Sequence, residues 1–334
     1  MKILGIETSC DETSVAVLTD MRTAPVNLVY SQVDHAKFGG IVPEVASRQQ
    51  IKKLPPLYLQ ALREAGIGLD DLVGIAVTMG PGLVGSLLVG VNFAKALAWS
   101  SGLALIGINH LEGHIFSNFL ASSTLEPPFI ALIVSGGHTL LVTVTDYLEY
   151  HILGQTRDDA AGEAYDKVSK LLGLGYPGGM IIDNLARKGN PNFHKFPRAF
   201  IKDTSFEFSF SGLKTAVALY VKDKGQRFVE DNLADICAAF QEAVVDVLVE
   251  KSILAAEHEK IDTIVIAGGV AANSRLREKL AHKAKLAGKK TFYPPPVLCT
   301  DNAAMIASAG YCRLARGQRS DFKLNAYPYL PLVE

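Results

Sequence analysis

A net charge of −1 over 334 residues, from 33 Lys and Arg against 34 Asp and Glu, leaves no bulk positive charge with which to hold nucleic acid. Only a local basic surface stays open to that role. Cysteine is scarce: Cys10, Cys237, Cys299 and Cys312 stand apart without a Cys-x-x-Cys pair. Their spacing argues against a zinc ribbon or a disulfide framework and suits reduced, mostly buried thiols in a cytosolic protein. No apolar run is long enough to span a bilayer, and the apolar start Met1 to Ile6 meets Glu7, Asp11 and Glu12 too soon for a signal peptide. A cytoplasmic location with no membrane partner is expected. Acidic residues are missing altogether from Leu72 to Leu111. That gap matters because Gly80-Pro81-Gly82-Leu83-Val84-Gly85, between a predicted strand over 74–78 and a helix, formally satisfies the dinucleotide fingerprint. The acid due about twenty residues later on a ribose is not there. Ser86 stands where a phosphate-binding P-loop needs Lys, which removes that motif too. What is left is a glycine turn that brings amides and a helix N-terminus near an anion, or lets the helix pack closely on a sheet.

About half the residues are apolar and a fifth charged, the normal globular range, and the length suits two lobes better than one core. Residues 2–6 and 14–18 read as strands joined by the polar turn Glu7 to Thr13, with 26–31 as a third strand. Phe38 to Glu44 reads as a loop. A helix over 46–65 follows, interrupted or kinked at Pro55-Pro56 and ended by Gly66. Strands over 74–78 and 103–108 lead to Asn109, and Pro127-Pro128 marks a boundary. Beyond it the pattern starts again. Strands over 129–134 and 140–144 flank Ser135-Gly136-Gly137-His138-Thr139, and strand 264–267 with Gly268-Gly269 and a helix over 275–284 echoes the earlier strand, glycine turn and helix. Such self-similarity is the mark of a duplication. Two α/β lobes, 1–126 and 127–334, are expected around a cleft where backbone amides wrap a nucleotide's phosphates.

Segments outside the repeat form a helical and aromatic insertion around 155–215. Asp158 to Lys167 reads as a helix with acids in its first turns, matching the helix dipole. Tyr176 to Met180 is a sharp turn before the helix carrying Asp183. Phe193, Phe196, Phe200, Phe206, Phe208 and Phe210 alternate with Lys195, Arg198 and Lys202, a composition that either stacks bases and binds phosphates or packs a subdomain.

His110-Leu111-Glu112-Gly113-His114 sets two imidazoles four positions apart, on one face of a helix. Two imidazoles at that spacing occur by chance in many chains; they also suit a divalent transition metal if a third ligand is supplied, and Asp301 in Cys299-Thr300-Asp301-Asn302 is the candidate. A zinc protease has its glutamate directly after the first histidine as general base. Leu111 occupies that place here, and Glu112 lies on another side of the helix.

Taken together and in order, Gly5 to Thr13, Gly80-Pro81-Gly82, Asn109 to His114, Val134 to Thr139, Asp158 to Glu163, Tyr176 to Gly179, Ser209 to Lys214, Gly268 to Asn273 and Cys299 to Asn302 resemble the TsaD/Kae/Gcp family of tRNA adenosine threonylcarbamoyltransferases over nearly the whole chain. The resemblance implies the duplicated actin-like ATPase (ASKHA) fold. It implies an iron or zinc ion on His110, His114 and Asp301, and threonylcarbamoyl-AMP or an adenine nucleotide on Ile133, Val134, Ser135, Gly136, Gly137, Asp166, Gly179, Asp183 and Asn273. It further implies transfer of a threonylcarbamoyl group from its anhydride with AMP to N6 of the adenosine beside the anticodon, in tRNAs reading codons that begin with A. Asp11 or Glu12 is the candidate for taking the amine proton. The implied partners, besides tRNA, are in bacteria a homologous TsaB-like subunit and a TsaE-like ATPase. The alternatives are an actin-like phosphotransferase, which would use magnesium on oxygen ligands, and a non-catalytic scaffold.

Overall fold

The computed structural model describes residues 1–32, 35, 39–201 and 203–333. Phe38 and Lys202, which enter the loop and the cationic series above, lie outside the described residues. Contacts divide the chain into two compact units, Met1–Leu125 with Val297–Glu334, and Glu126–Pro296.

In the first unit, β1 (Ile3–Glu7), β2 (Glu12–Leu18) and β3 (Val26–Ser31) form an antiparallel meander. It is followed by α1 (Pro43–Ala65), β4 (Gly74–Gly80), α2 (Val84–Ser101), β5 (Ala104–Asn109) and α3 (His110–Ala121). The sheet order is β3-β2-β1-β4-β5, with β4 parallel to both β1 and β5. Strand alternation sorts the two faces. Leu4, Ile6, Val15, Val17, Ile75 and Val77 pack with Leu54 and Tyr58 of α1 and Val91 and Ala94 of α2. The proline pair does not interrupt α1, which runs unbroken through Pro55 and Pro56.

The second unit repeats this plan. Its strands are β6 (Phe129–Val134), β7 (Thr139–Asp146) and β8 (Glu149–Gln155). After them come α4 (Ala161–Leu171), α5 (Gly178–Ala186), α6 (Ser211–Lys224), α7 (Gln226–Asp231) and α8 (Leu233–His258), then β9 (Thr263–Ala267), α9 (Ser274–Leu286) and β10 (Lys290–Phe292). The order β8-β7-β6-β9-β10 has the same sense in every pairing as the first sheet, so the duplication is topological. Within the insertion, Phe196, Phe208 and Phe210 are buried, which makes that aromatic series a packed subdomain at those positions. Asp158 precedes α4 and instead accepts the N–H groups of Phe210 and Ser211 at 2.8 and 3.2 Å, capping the start of α6.

The expected second lobe, 127–334, differs at its end. After the short α10 (Pro296–Cys299), α11 (Ala303–Ala315) belongs to the first unit. The cause is close packing. A Cβ on Gly5 would lie 2.3 Å from the Ala303 carbonyl oxygen and one on Gly113 2.6 Å from Ile306, so glycine lets α11 seat directly on β1 and α3. Gly5, and with it the odd-numbered face of β1, therefore looks toward α11.

Candidate functional site

β5 delivers the histidines. Its last residue, Asn109, caps α3 by accepting the Leu111 N–H at 2.9 Å, and its amide nitrogen donates to the carbonyls of Leu330 and Pro331 at 3.4 and 2.9 Å. His110 and His114 follow one turn apart, with ring centroids 4.6 Å from each other. Asp301 arrives just before α11, whose first amides are held by side chains of the sheet and by its own cap, Asn302. Ala303 N–H donates to Ser14 Oγ at 2.8 Å, Ala304 N–H to Asn27 Oδ1 at 3.2 Å and Met305 N–H to Asn302 Oδ1 at 3.1 Å. Asp301 Oδ1 thereby stands 3.3 Å from His110 Nε2 and 3.4 Å from His114 Nε2. One ligand atom from each of the three residues lies within 4.8 Å of the others.

The donor set fits a metal. His114 is wholly buried, and although Asp301 is near, neither of its ring nitrogens makes a hydrogen bond. Buried polar atoms seldom go unsatisfied. A divalent cation taken by two imidazoles and a carboxylate removes that cost. Burial pushes the His114 pKa down, keeping the ring in the neutral form that ligates. Burial alone would lower His110 as well, but the carboxylates of Asp301 and Glu7 outweigh it and raise its pKa. Asp301 is held well below the usual carboxylate range, since its two histidines overcome the opposing effect of burial.

Glu112 takes no part in this cluster. It is fully buried and clamped by Arg313, whose Nε and Nη2 donate to its carboxylate at 2.8 to 3.1 Å. Neighbouring the metal candidates is the β1–β2 turn with Cys10, Asp11 and Glu12. Gln50 of α1 holds that turn, donating from Nε2 to the Cys10 and Glu12 carbonyls at 3.0 Å. Burial, then Asp301 and Asp11, raises the Glu12 pKa well above its ordinary value. The same causes, with Glu12 added, raise the Cys10 thiol. The glycine turn after β4 takes the packing option: Leu83 N–H donates to the Ser9 carbonyl at 2.8 Å, Gly82 N–H to that of Pro328 at 3.1 Å.

In the second unit, Ile133 and Val134 end β6, and Ser135, Gly136 and Gly137 make the turn into β7. Ser135 Oγ accepts the His138 N–H at 3.1 Å, and the Ser135 carbonyl accepts the Gly162 N–H at 3.2 Å. A Cβ on Gly136, Gly137 or Gly179 would meet nothing within 4 Å, so packing within the chain does not require these glycines. Asp166 accepts the Gly178 N–H at 2.7 Å, and burial raises its pKa. Asp183 receives Gln241 Nε2 at 3.1 Å, Ser274 Oγ at 2.8 Å, Ser274 N–H at 3.3 Å and Arg187 Nη2 at 3.0 Å. Asn273 caps α9 through its oxygen, accepting the Leu276 N–H at 2.9 Å, and donates to Gln241 Oε1 at 2.7 Å. Gln241, in the middle of α8 and buried, therefore ties Asp183 to Asn273. Sequence reasoning passed over it, as it did the contacts of Glu7; a lone Gln in an apolar helix and a lone acid at a strand end carry no spacing signal.

A model of the TsaD family, described as tRNA N6-adenosine threonylcarbamoyltransferase, matches residues 26–308. The chain is 52% identical to the tRNA N6-adenosine threonylcarbamoyltransferase of Clostridium botulinum (strain 657 / Type Ba4), over 100% of this chain and 98% of that one. It is 53% identical to the protein of the same name from Clostridium perfringens (strain ATCC 13124), over 99% and 98%. Among solved structures, full-length HypF in the phosphate- and nucleotide-bound form superposes with a TM-score of 0.61 at 15% identity, over 94% of this chain and 55% of that one. Component A of the (R)-2-hydroxyglutaryl-CoA dehydratase of Acidaminococcus fermentans gives 0.55 at 16%, over 94% and 99%. Likeness at such identities speaks to the fold alone, which is the duplicated actin-like ATPase fold.

Proposed function

The chain belongs to the family of tRNA N6-adenosine threonylcarbamoyltransferases, and from that premise we propose which of its residues carry the transfer. In the reaction, N6 of a tRNA adenosine bonds to the carbamoyl carbon of threonylcarbamoyl-AMP, the bond from that carbon to the phosphate oxygen breaks, AMP leaves and N6 gives up a proton. The acceptor adenosine is the one beside the anticodon in tRNAs that read codons beginning with A. An exocyclic amine is a weak nucleophile, so the site must make the carbonyl electrophilic and accept the proton.

His110, His114 and Asp301 hold one divalent metal, iron or zinc. When bound, it would supply Lewis acidity toward the carbamoyl oxygen. The single observation that carries this assignment is the buried, unpartnered His114 imidazole beside the Asp301 carboxylate. Glu12, with Asp11 beside it, takes the N6 proton; a carboxyl whose pKa is raised by burial is better matched to that task than an ordinary one. In the second unit, the open glycines 136, 137 and 179 leave room for nucleotide; the Ser135 N–H is held by the His138 carbonyl at 2.8 Å, and the Gly136 and Gly137 amides donate to the nucleotide's anionic oxygens. Asp166 and Asp183 serve as acceptors for ribose hydroxyls, Asp183 by exchanging its bond to the exposed Arg187.

An actin-like phosphotransferase would share the fold, but paired imidazoles are the wrong ligands for its magnesium. The family resemblance supports tRNA as acceptor, a TsaB-like subunit and a TsaE-like ATPase as bacterial partners, and a cytoplasmic location. Among the described residues no helix is long and apolar enough to cross a membrane. The test uses a lysate depleted of this protein, supplied with labelled threonine, bicarbonate, ATP and tRNA, to which wild type, Asp301→Ala or Glu12→Ala is returned. Label should enter tRNA with wild type only. Transfer by Asp301→Ala would sink the metal assignment, undiminished transfer by Glu12→Ala would remove that residue from the mechanism, and no label with wild type would return the phosphotransferase to consideration.

A further inference from the structure

Glu7 is the last residue of β1, on the face of the sheet that looks toward α11, and its side chain is entirely buried. A buried carboxylate costs several kcal/mol unless donors surround it. Glu7 has three. The Ser9 N–H donates to Oε1, while Thr78 Oγ–H at 2.6 Å and His110 Nδ1 at 3.0 Å both meet Oε2. Ser9 Oγ also lies 3.2 Å from His110 Nδ1. The opposite nitrogen of the same ring, Nε2, faces Asp301. Nothing comparable holds His114, whose ring nitrogens make no hydrogen bond.

From this asymmetry we infer that Glu7 is a positioning residue of the metal centre: by accepting Nδ1–H it locks His110 in the tautomer that leaves Nε2 free to ligate, and it fixes the plane of the ring. The inference rests on the metal assignment made above and adds a residue that does not itself touch the metal. Ligating histidines generally donate their other N–H to a carboxylate or carbonyl, which sets the tautomer and strengthens the ligand. Here the carboxylate is itself held from two sides, by a backbone amide and by Thr78.

That double hold makes the amide substitution informative. In Glu7→Gln, an amide nitrogen placed at the Oε1 position would oppose the Ser9 N–H. Placed at the Oε2 position, it would oppose the His110 Nδ1–H, and the conflict is relieved only by moving the ring proton to Nε2, where it occupies the ligand's lone pair. Only the second orientation changes the tautomer of His110; the first keeps an acceptor for its Nδ1–H but replaces a charged oxygen with a neutral, weaker one.

The experiment titrates Co2+ into the full-length protein, freed of metal by chelation, and follows both affinity and the visible ligand-field spectrum. Glu7→Gln should bind Co2+ about 10- to 100-fold more weakly, with a shifted spectrum, in protein whose thermal unfolding remains cooperative. A purely structural role would lower the melting temperature and leave the affinity and spectrum of the folded protein unchanged, and that result overturns the inference. Should Glu7→Gln fail to fold, Thr78→Val decides: it removes one donor from Glu7 and should weaken Co2+ in the same direction by less, whereas wild-type affinity and spectrum would overturn the inference. His114→Ala separates the two levels. If it binds Co2+ as wild type does, the metal assignment falls and the role of Glu7 with it. If it loses Co2+ while Glu7→Gln does not, only the role of Glu7 falls.

Discussion

Glu112 shows how much one residue's direction decides. It lies between the two histidines in sequence, yet α3 turns it away from Asp301 and into the bidentate grip of Arg313. A general base for hydrolysis has to face the metal; this carboxylate faces α11. Breaking such a buried pair from one side strands a charge, so Arg313→Ala should cost about 3–5 kcal/mol of unfolding free energy. Urea titration of the variant checks it, and a loss below 1 kcal/mol would mean that Glu112 finds other partners on relaxation. The histidine pair and Asp301 were legible before the fold because metal ligands are few in kind and recur at known spacings. Glu7 and Gln241 were not, since what singles them out is the set of donors that other elements bring to them.

The helices α8 and α9 are joined by ion pairs at the level of whole elements: Glu242 with Arg275 and Lys279, Asp246 with Lys279, and Glu250 with Lys283. Asp246 also binds Arg198 of the insertion at 2.8 Å. Burial pushes the Glu242 carboxyl up, but hydrogen bonds from Arg275 and Lys279 more than reverse it and bring its pKa from 4.5 down to about 2. A folded-state pKa below the unfolded one gives stability that is complete above the unfolded value and is lost as pH falls through the folded one. For Glu242 the window therefore runs from roughly pH 4.5 down to 2, with on the order of 3 kcal/mol at stake. Glu242→Gln should be less stable than wild type at pH 7, and the two should converge near pH 2 in thermal unfolding followed by circular dichroism. A gap that is constant with pH would assign the loss to packing. The elements themselves were readable from β-branched runs and glycine stops. The unbroken path of α1 through Pro55 and Pro56 was not, because local proline rules say nothing of the core that Leu54 and Tyr58 supply on either side.

At the scale of the molecule, the duplication was visible as a repeated strand, glycine turn and helix, and both sheets bear it out in strand order and sense. The return of 297–334 to the first unit left no trace in periodicity, since it depends on the bare backbone of Gly5 and Gly113 meeting α11. One consequence is that each proposed ligand set is drawn from a single unit. His110, His114 and Asp301 belong to the first, and Asp166, Asp183 and Asn273, with Gln241 between the last two, belong to the second. The two binding activities should therefore separate by mutation. His114→Ala should abolish stoichiometric metal uptake and leave AMP affinity at the wild-type value. Gln241→Leu removes the amide that joins Asp183 to Asn273 and takes one hydrogen-bond partner from each, a loss of about 1 kcal/mol, so AMP should bind roughly fivefold more weakly while metal content stays at one per chain. Calorimetry with AMP and elemental analysis of the same preparations read the two quantities side by side. If His114→Ala lost AMP, or Gln241→Leu lost the metal, the division of labour between the units would be wrong. If Gln241→Leu bound AMP as wild type does, the nucleotide would have to be held by groups other than this buried network.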